Sequence, residues 1–156
     1  MKEKLVLIFL ALASLTACNK NVLVDSFHEL PESGWSYNNI VQDSFEVKEP
    51  AFYHQMFANL RISGDYKYAN IFLKLTIIAP DSSQKEEVVT LNLADKTGKW
   101  LGSGIGDKIT FQLPVLEKQK LKEAGIYRVK IEQYMRLENL QNVAAAGLMV
   151  EQLEEI

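Results

Sequence analysis

The chain has 156 residues, 47% of them hydrophobic and 24% charged, with a net charge of −3 at pH 7. That length suffices for one domain with a real core, and the acidic balance excludes a surface built to hold nucleic acid or an anionic bilayer. A single cysteine excludes an intramolecular disulfide.

Lys2 and Lys4 precede an apolar run from Leu5 to about Leu15. A basic start, a short apolar stretch and a small residue before the cut form a secretory signal. The run is too short to span a bilayer as a stable helix. Leu15-Thr16-Ala17-Cys18 has the form of a bacterial lipobox, with Cys18 as the lipidated N-terminus after cleavage. Residues 1–17 are therefore expected to be a lipoprotein signal peptide, 18–26 a lipidated N-terminus and short tether, and 27–156 a single domain. Removing Lys2, Lys4 and Glu3 leaves 15 Lys+Arg against 19 Asp+Glu, a net charge near −4.

Val22, Leu23 and Val24 are also compatible with a first strand, and Pro31, Ser33 and Gly34 punctuate the chain before Trp35 and Tyr37. Short segments with alternating polarity follow, rich in Val, Ile, Phe and Tyr. Ser44–Val47 is a strand that Pro50 stops. Tyr53–Ile62 is a second, ending at Ser63-Gly64-Asp65. Tyr68–Ile78 has the clearest pattern: Ile71, Leu73, Leu75 and Ile77 share one face, with Asn70, Lys74 and Thr76 on the other. Pro80-Asp81-Ser82-Ser83 closes it. Val88–Leu93 puts Val89, Leu91 and Leu93 on one face, before a hairpin-type turn at Asp95-Lys96-Thr97-Gly98.

Trp100–Ser103 runs into Gly102, Gly104 and Gly106, which fit a bulge or tight hairpin rather than a phosphate loop. Ile109–Leu113 is a strand that Pro114 stops, and Glu117–Ala124 has the composition of a two-turn helix. From Gly125 the chain alternates again, with Tyr127, Val129, Ile131 and Gln133 on one side. Gly147–Leu153 is the last strand. Seven to nine short strands with regularly spaced turns predict an all-β antiparallel sandwich, immunoglobulin-like or jelly-roll-like, with at most one short helix. Tyr127, just after the Gly125 corner, is placed to hydrogen-bond back to that corner, as in immunoglobulin-like domains.

No catalytic set emerges. His28 and His54 are the only histidines and lack metal-ligand spacing, and His54 reads as a rim or pairing residue in a strand. No serine sits in a nucleophile elbow. Glu86-Glu87 and Glu154-Glu155 are neighbours, which point to opposite faces of a strand and so do not converge on one bond. Asp81, Asp95 and Asp107 are turn residues without a calcium-loop motif. No metal, cofactor or nucleic-acid partner is implied. Trp35, Tyr37, Tyr53, Tyr66, Tyr68, Trp100 and Tyr134 serve either as core anchors or as a sugar-stacking platform, so an envelope carbohydrate-binding module is the alternative function.

Three runs combine with the lipobox: R-x-x-G-D-Y-x-Y-x-N from Arg61 to Asn70, D-x-T-G-K-W-x-G from Asp95 to Gly102, and I-E-Q-x-M-R from Ile131 to Arg136. Together they resemble the gliding motility lipoprotein GldH family of Bacteroidota, over nearly the whole mature chain. The resemblance implies a non-catalytic, membrane-anchored envelope lipoprotein needed for gliding. It also implies protein partners in an apparatus coupled to type IX secretion. The family's recurrent residues suggest a partner surface that includes Arg61, Asp65, Tyr66, Trp100, Glu132 and Arg136. Surface-exposed lipoproteins of this phylum often carry an acidic cluster after the lipidated cysteine. Here Asn19-Lys20-Asn21 follows Cys18, with no acid before Asp25, which points to the periplasmic side.

Overall fold

The computed structural model describes residues 21–153; the signal segment, Cys18 and the Glu154-Glu155 pair lie outside them. Among the described residues twelve strands carry the fold: β1 Val22–Asp25, β2 His28–Glu29, β3 Trp35–Ser36, β4 Val41–Val47, β5 Tyr53–Ser63, β6 Asn70–Ile78, β7 Gln84–Asn92, β8 Ser103–Ile105, β9 Lys108–Lys120, β10 Gly125–Gln133, β11 Asn139–Leu140 and β12 Val143–Leu153. One sheet has the order β1-β12-β5-β9-β8, with β2 also on β12. The other has the order β4-β10-β6-β7, and β3 with β11 forms a small ribbon. Every pairing is antiparallel. The all-β sandwich expected from the alternation is what forms.

Alternation explains the core. Ile71, Leu73 and Leu75 of β6, Leu91 of β7, and Tyr127, Val129 and Ile131 of β10 point inward from the four-stranded sheet. They meet Met56, Ala58, Leu60 and Ile62 of β5 and Leu148 and Val150 of β12. Phe45 stacks on Tyr127 with ring centroids 5.6 Å apart. The Tyr127 hydroxyl donates to the Glu123 carbonyl and accepts from the Glu123 amide, both at 3.2 Å, so the corner bond expected before β10 is present.

Two expectations around β9 are corrected. The strand does not stop at Pro114, and Glu117–Lys120 is strand rather than helix. Pro114, which has no amide hydrogen to give, sits where the register slips: it faces Phe57 while Leu116 faces Met56. A second slip between Met56 and His54 lets thirteen residues of β9 accompany eleven of β5. Pairing with β5 outweighs the helix propensity of the EKQK run. Thr76 is also buried, although it lies on the outward face of β6. At the other end of the sheet, Ile105 pairs with Lys108 across the two-residue turn Gly106-Asp107, with Gly106 at φ +71°.

At the N-terminus, the stretch from 22 to 25 is a strand rather than tether, paired with the far end of β12. The chain then straps the two sheets together. Ser26 donates through Oγ to Asp43 Oδ2 at 2.6 Å, and its Oγ accepts from the Leu148 amide at 3.0 Å. His28 Nε2 lies 2.8 Å from Asp43 Oδ1. Asn59, buried on β5, donates to Asp25 Oδ1 and to the Ser26 carbonyl, and accepts from Gln112.

His54 is not the rim residue expected of it. It is fully buried, flanked across the sheet by Gln119 and Gln152. Neither ring nitrogen has a partner in hydrogen-bond geometry. Burial holds its pKa below the ordinary 6.5, and the nearby Phe52 backbone offsets this only in part. A folded-state pKa below the unfolded one means that the unfolded chain binds the extra proton. Stability is therefore full above about pH 6.5 and falls as pH drops below it, by at most about 1.4 kcal/mol per pH unit. Urea unfolding of His54→Leu, compared with the parent at pH 7.5 and pH 5, is expected to show a shallower loss on acidification.

Candidate docking surface

The loops after β10 and before β4 build the most developed concavity on the outer face of the four-stranded sheet. Alternation turns Phe72 and Lys74 of β6 outward, together with Val88 of β7 and Glu132 of β10. Beyond β10 the backbone stays attached to the sheet: the Tyr134 amide donates to the Phe72 carbonyl at 2.8 Å, and the Phe72 amide points at Met135 Sδ. Gln133, buried, folds the turn by donating to the Leu137 carbonyl at 2.8 Å and accepting from the Met135 amide at 2.9 Å. The β3–β11 ribbon brings Tyr37 alongside, where its hydroxyl donates to the Met135 carbonyl at 2.5 Å.

The result is an open groove of about 1090 Å³. Tyr37, Tyr68, Phe72 and Tyr134 supply rings, and Val88 and Leu137 supply aliphatic wall. Tyr134 is 54% exposed and Phe72 37%. Across the floor Lys74 Nζ meets Glu132 at 3.0 Å. That hydrogen bond, ahead of other charges nearby, raises the Lys74 pKa, so the ammonium stays charged. Arg136 stands at the rim, exposed.

The six residues suggested as a partner surface divide between four places. Glu132 and Arg136 belong to the groove. Tyr66 is buried; its hydroxyl donates to the Asn70 carbonyl at 3.1 Å, and burial pushes its pKa up. Its ring contacts Tyr68 edge-on at 5.6 Å and Trp100 at 6.4 Å, and Trp100 is half-buried against the core. Asp65 lies in the exposed turn after β5, its carbonyl accepting from Asn142. Arg61 is on the other sheet, 3.3 Å from Glu29 and 4.9 Å from the centre of the Phe27 ring.

Of the seven aromatics read as core or platform, Trp35 is fully buried and donates to the Asn39 carbonyl at 2.7 Å. Tyr53 lies under Lys118 and Lys120 on the six-stranded sheet. Tyr37, Tyr68 and Tyr134 do come together. Phe72 escapes the sequence reading, although a ring between Asn70 and Lys74 on the polar face of an alternating strand is the signal that marks it.

Ser26, His28 and Asp43 meet, but in the wrong order for acyl transfer. The carboxylate lies between the other two, and the serine hydroxyl is held by Asp43 and the Leu148 amide rather than by the imidazole. Asp81 accepts from the Ser83 amide and Asp95 from Thr97 and the Lys99 amide, bonds that lower both pKa values. Among the described residues, no three His, Cys, Asp or Glu side chains are grouped to hold a metal.

A family model described as GldH lipoprotein matches residues 22–150. The chain belongs to the GldH lipoprotein family. The GldH match starts at the first residue of β1 and ends within β12, so it spans both sheets and the whole groove. Two GldH relatives are similar over most of their length. A gliding motility lipoprotein GldH homolog of Christiangramia forsetii is 27% identical over 143 residues, 87% of each chain. Gliding motility lipoprotein GldH of Flavobacterium johnsoniae is 27% identical over 153 residues, 94% of each chain.

Proposed function

We propose that this chain is a lipid-anchored, non-catalytic component of the gliding motility machinery, linked to type IX secretion. In this reading it faces the periplasm and uses the groove to dock an envelope protein. Membership of the GldH family and the names of its two relatives support the motility assignment. The lipobox at Cys18 supports the anchor, and the acid-free start Asn19-Lys20-Asn21 supports the periplasmic side. A diacyl-type anchor holds a domain at a bilayer where a single chain does not.

The observation that carries the docking role is the groove itself. Four rings from three separate segments are gathered on the outer sheet face and left exposed, while Trp35 is sealed into the core. The groove's polar groups argue for protein rather than sugar. Glu132, Lys74 and Gln133 are already bonded to one another's strands and turns, which leaves few free acceptors for hydroxyls. The test is motility of cells whose only copy carries Phe72→Asp. Gliding is expected to be lost with the protein still folded and at the membrane.

A further inference from the structure

The groove is unevenly charged. On the outward positions of β6, β7 and β10, Lys74, Arg128 and Lys130 stand with Glu132 and Glu86, and Arg136 follows at the rim. Lys74 is neutralised by Glu132. Arg136 has no hydrogen bond, ion pair or ring contact among the described residues. A protein of net charge −3 thus presents an unpaired guanidinium beside its exposed rings. An unpaired guanidinium is a fork for a carboxylate. Aromatic and aliphatic walls suit apolar side chains at its sides.

We infer that the groove takes an acidic peptide segment of a partner protein, with an Asp or Glu carboxylate on Arg136 and a neighbouring apolar or aromatic side chain against Phe72 and Tyr134. This rests on the docking role proposed above. The groove's breadth across β6, β7 and β10 suits an extended segment, whose alternate side chains reach one surface.

The test is an NMR titration of the mature lipidated chain in neutral detergent micelles with three capped hexapeptides: alternating Asp and Phe, alternating Asn and Phe, and alternating Lys and Phe. An oligogalacturonate is titrated in parallel. The acidic peptide is expected to shift groove resonances and to bind at least tenfold more tightly than the Asn peptide. Added salt is expected to narrow that gap. Arg136→Glu is expected to abolish the preference and Arg136→Lys to retain part of it. Tyr134→Ala is expected to weaken the acidic and Asn peptides alike. Equal affinity for the Asp and Asn peptides, a preference that survives Arg136→Glu, no binding of the acidic peptide, or binding of the oligogalacturonate alone would overturn the inference. The first two leave the docking role standing; it falls instead if Phe72→Asp and Tyr134→Ala both leave gliding intact.

Discussion

Gly147→Ala is expected to destabilise the domain by about 3 kcal/mol or more, a large share of the total stability of a domain this size. Gly147 lies in the middle of β12, opposite Asn59. A Cβ there would sit 2.1 Å from the Ser26 carbonyl oxygen and 2.6 Å from its carbon. Backbone cannot move aside as a flexible side chain does. The strap must therefore lift, and the bonds from Asn59 to the Ser26 carbonyl and from Ser26 to Asp43 and Leu148 go with it. Lifting the strap also exposes the inner face of β4, where Asp43 loses two partners. Gly64→Ala is the control. Its added methyl meets nothing closer than the Asp107 carbonyl at 3.7 Å, so its change is expected to stay within about 0.5 kcal/mol. Urea unfolding of the pair measures both.

Cys18→Ala is expected to move the protein wholly from the membrane to the soluble fraction. Cys18 is the only cysteine, and so the only residue able to carry a thioether-linked lipid. The first paired strand begins at Val22, so a lipid on Cys18 would attach only four residues before the sheet. A domain held that closely would have little reach, and its groove would stay within a few nanometres of the bilayer. The folded domain should be unaffected, since β1 to β12 are complete without the anchor. Fractionation with an antibody to the domain, paired with far-ultraviolet circular dichroism of the released protein, measures both points. Retention of the Cys18→Ala variant at the membrane would show that something other than lipid holds it.

The two sheets were legible because one-sided burial imposes a two-residue period. Ile71, Leu73, Leu75 and Ile77 announce β6, and Tyr127, Val129, Ile131 and Gln133 announce β10. The Tyr127 corner was legible because a tyrosine after a glycine corner has a local partner four residues back. The second half of β9 was not. EKQK favours helix locally, and only pairing with β5, some sixty residues away, overrides it. The Ser26–His28–Asp43 strap was hidden for the same reason, since its partners are 15 to 122 residues apart. Half of the groove was visible: Tyr37, Tyr68, Tyr134, Glu132 and Arg136 stand out in the sequence, but nothing local says that they share one surface. His54 misled because a histidine in a strand suggests an edge or rim, whereas its parity puts it on the inward face of β5 with Met56, Ala58, Leu60 and Ile62.

Docking through the outer groove of a lipid-anchored sandwich is tested most directly by the spreading of cells whose only copy carries Phe72→Asp, with the membrane-bound amount of the protein measured alongside. The substitution places a charge among the rings at an outward position and leaves the inward residues Ile71 and Leu73 untouched. The expected result is non-spreading colonies with near-normal protein at the membrane, and a milder defect of the same kind for Tyr134→Ala. Full spreading by both variants at normal abundance would contradict it.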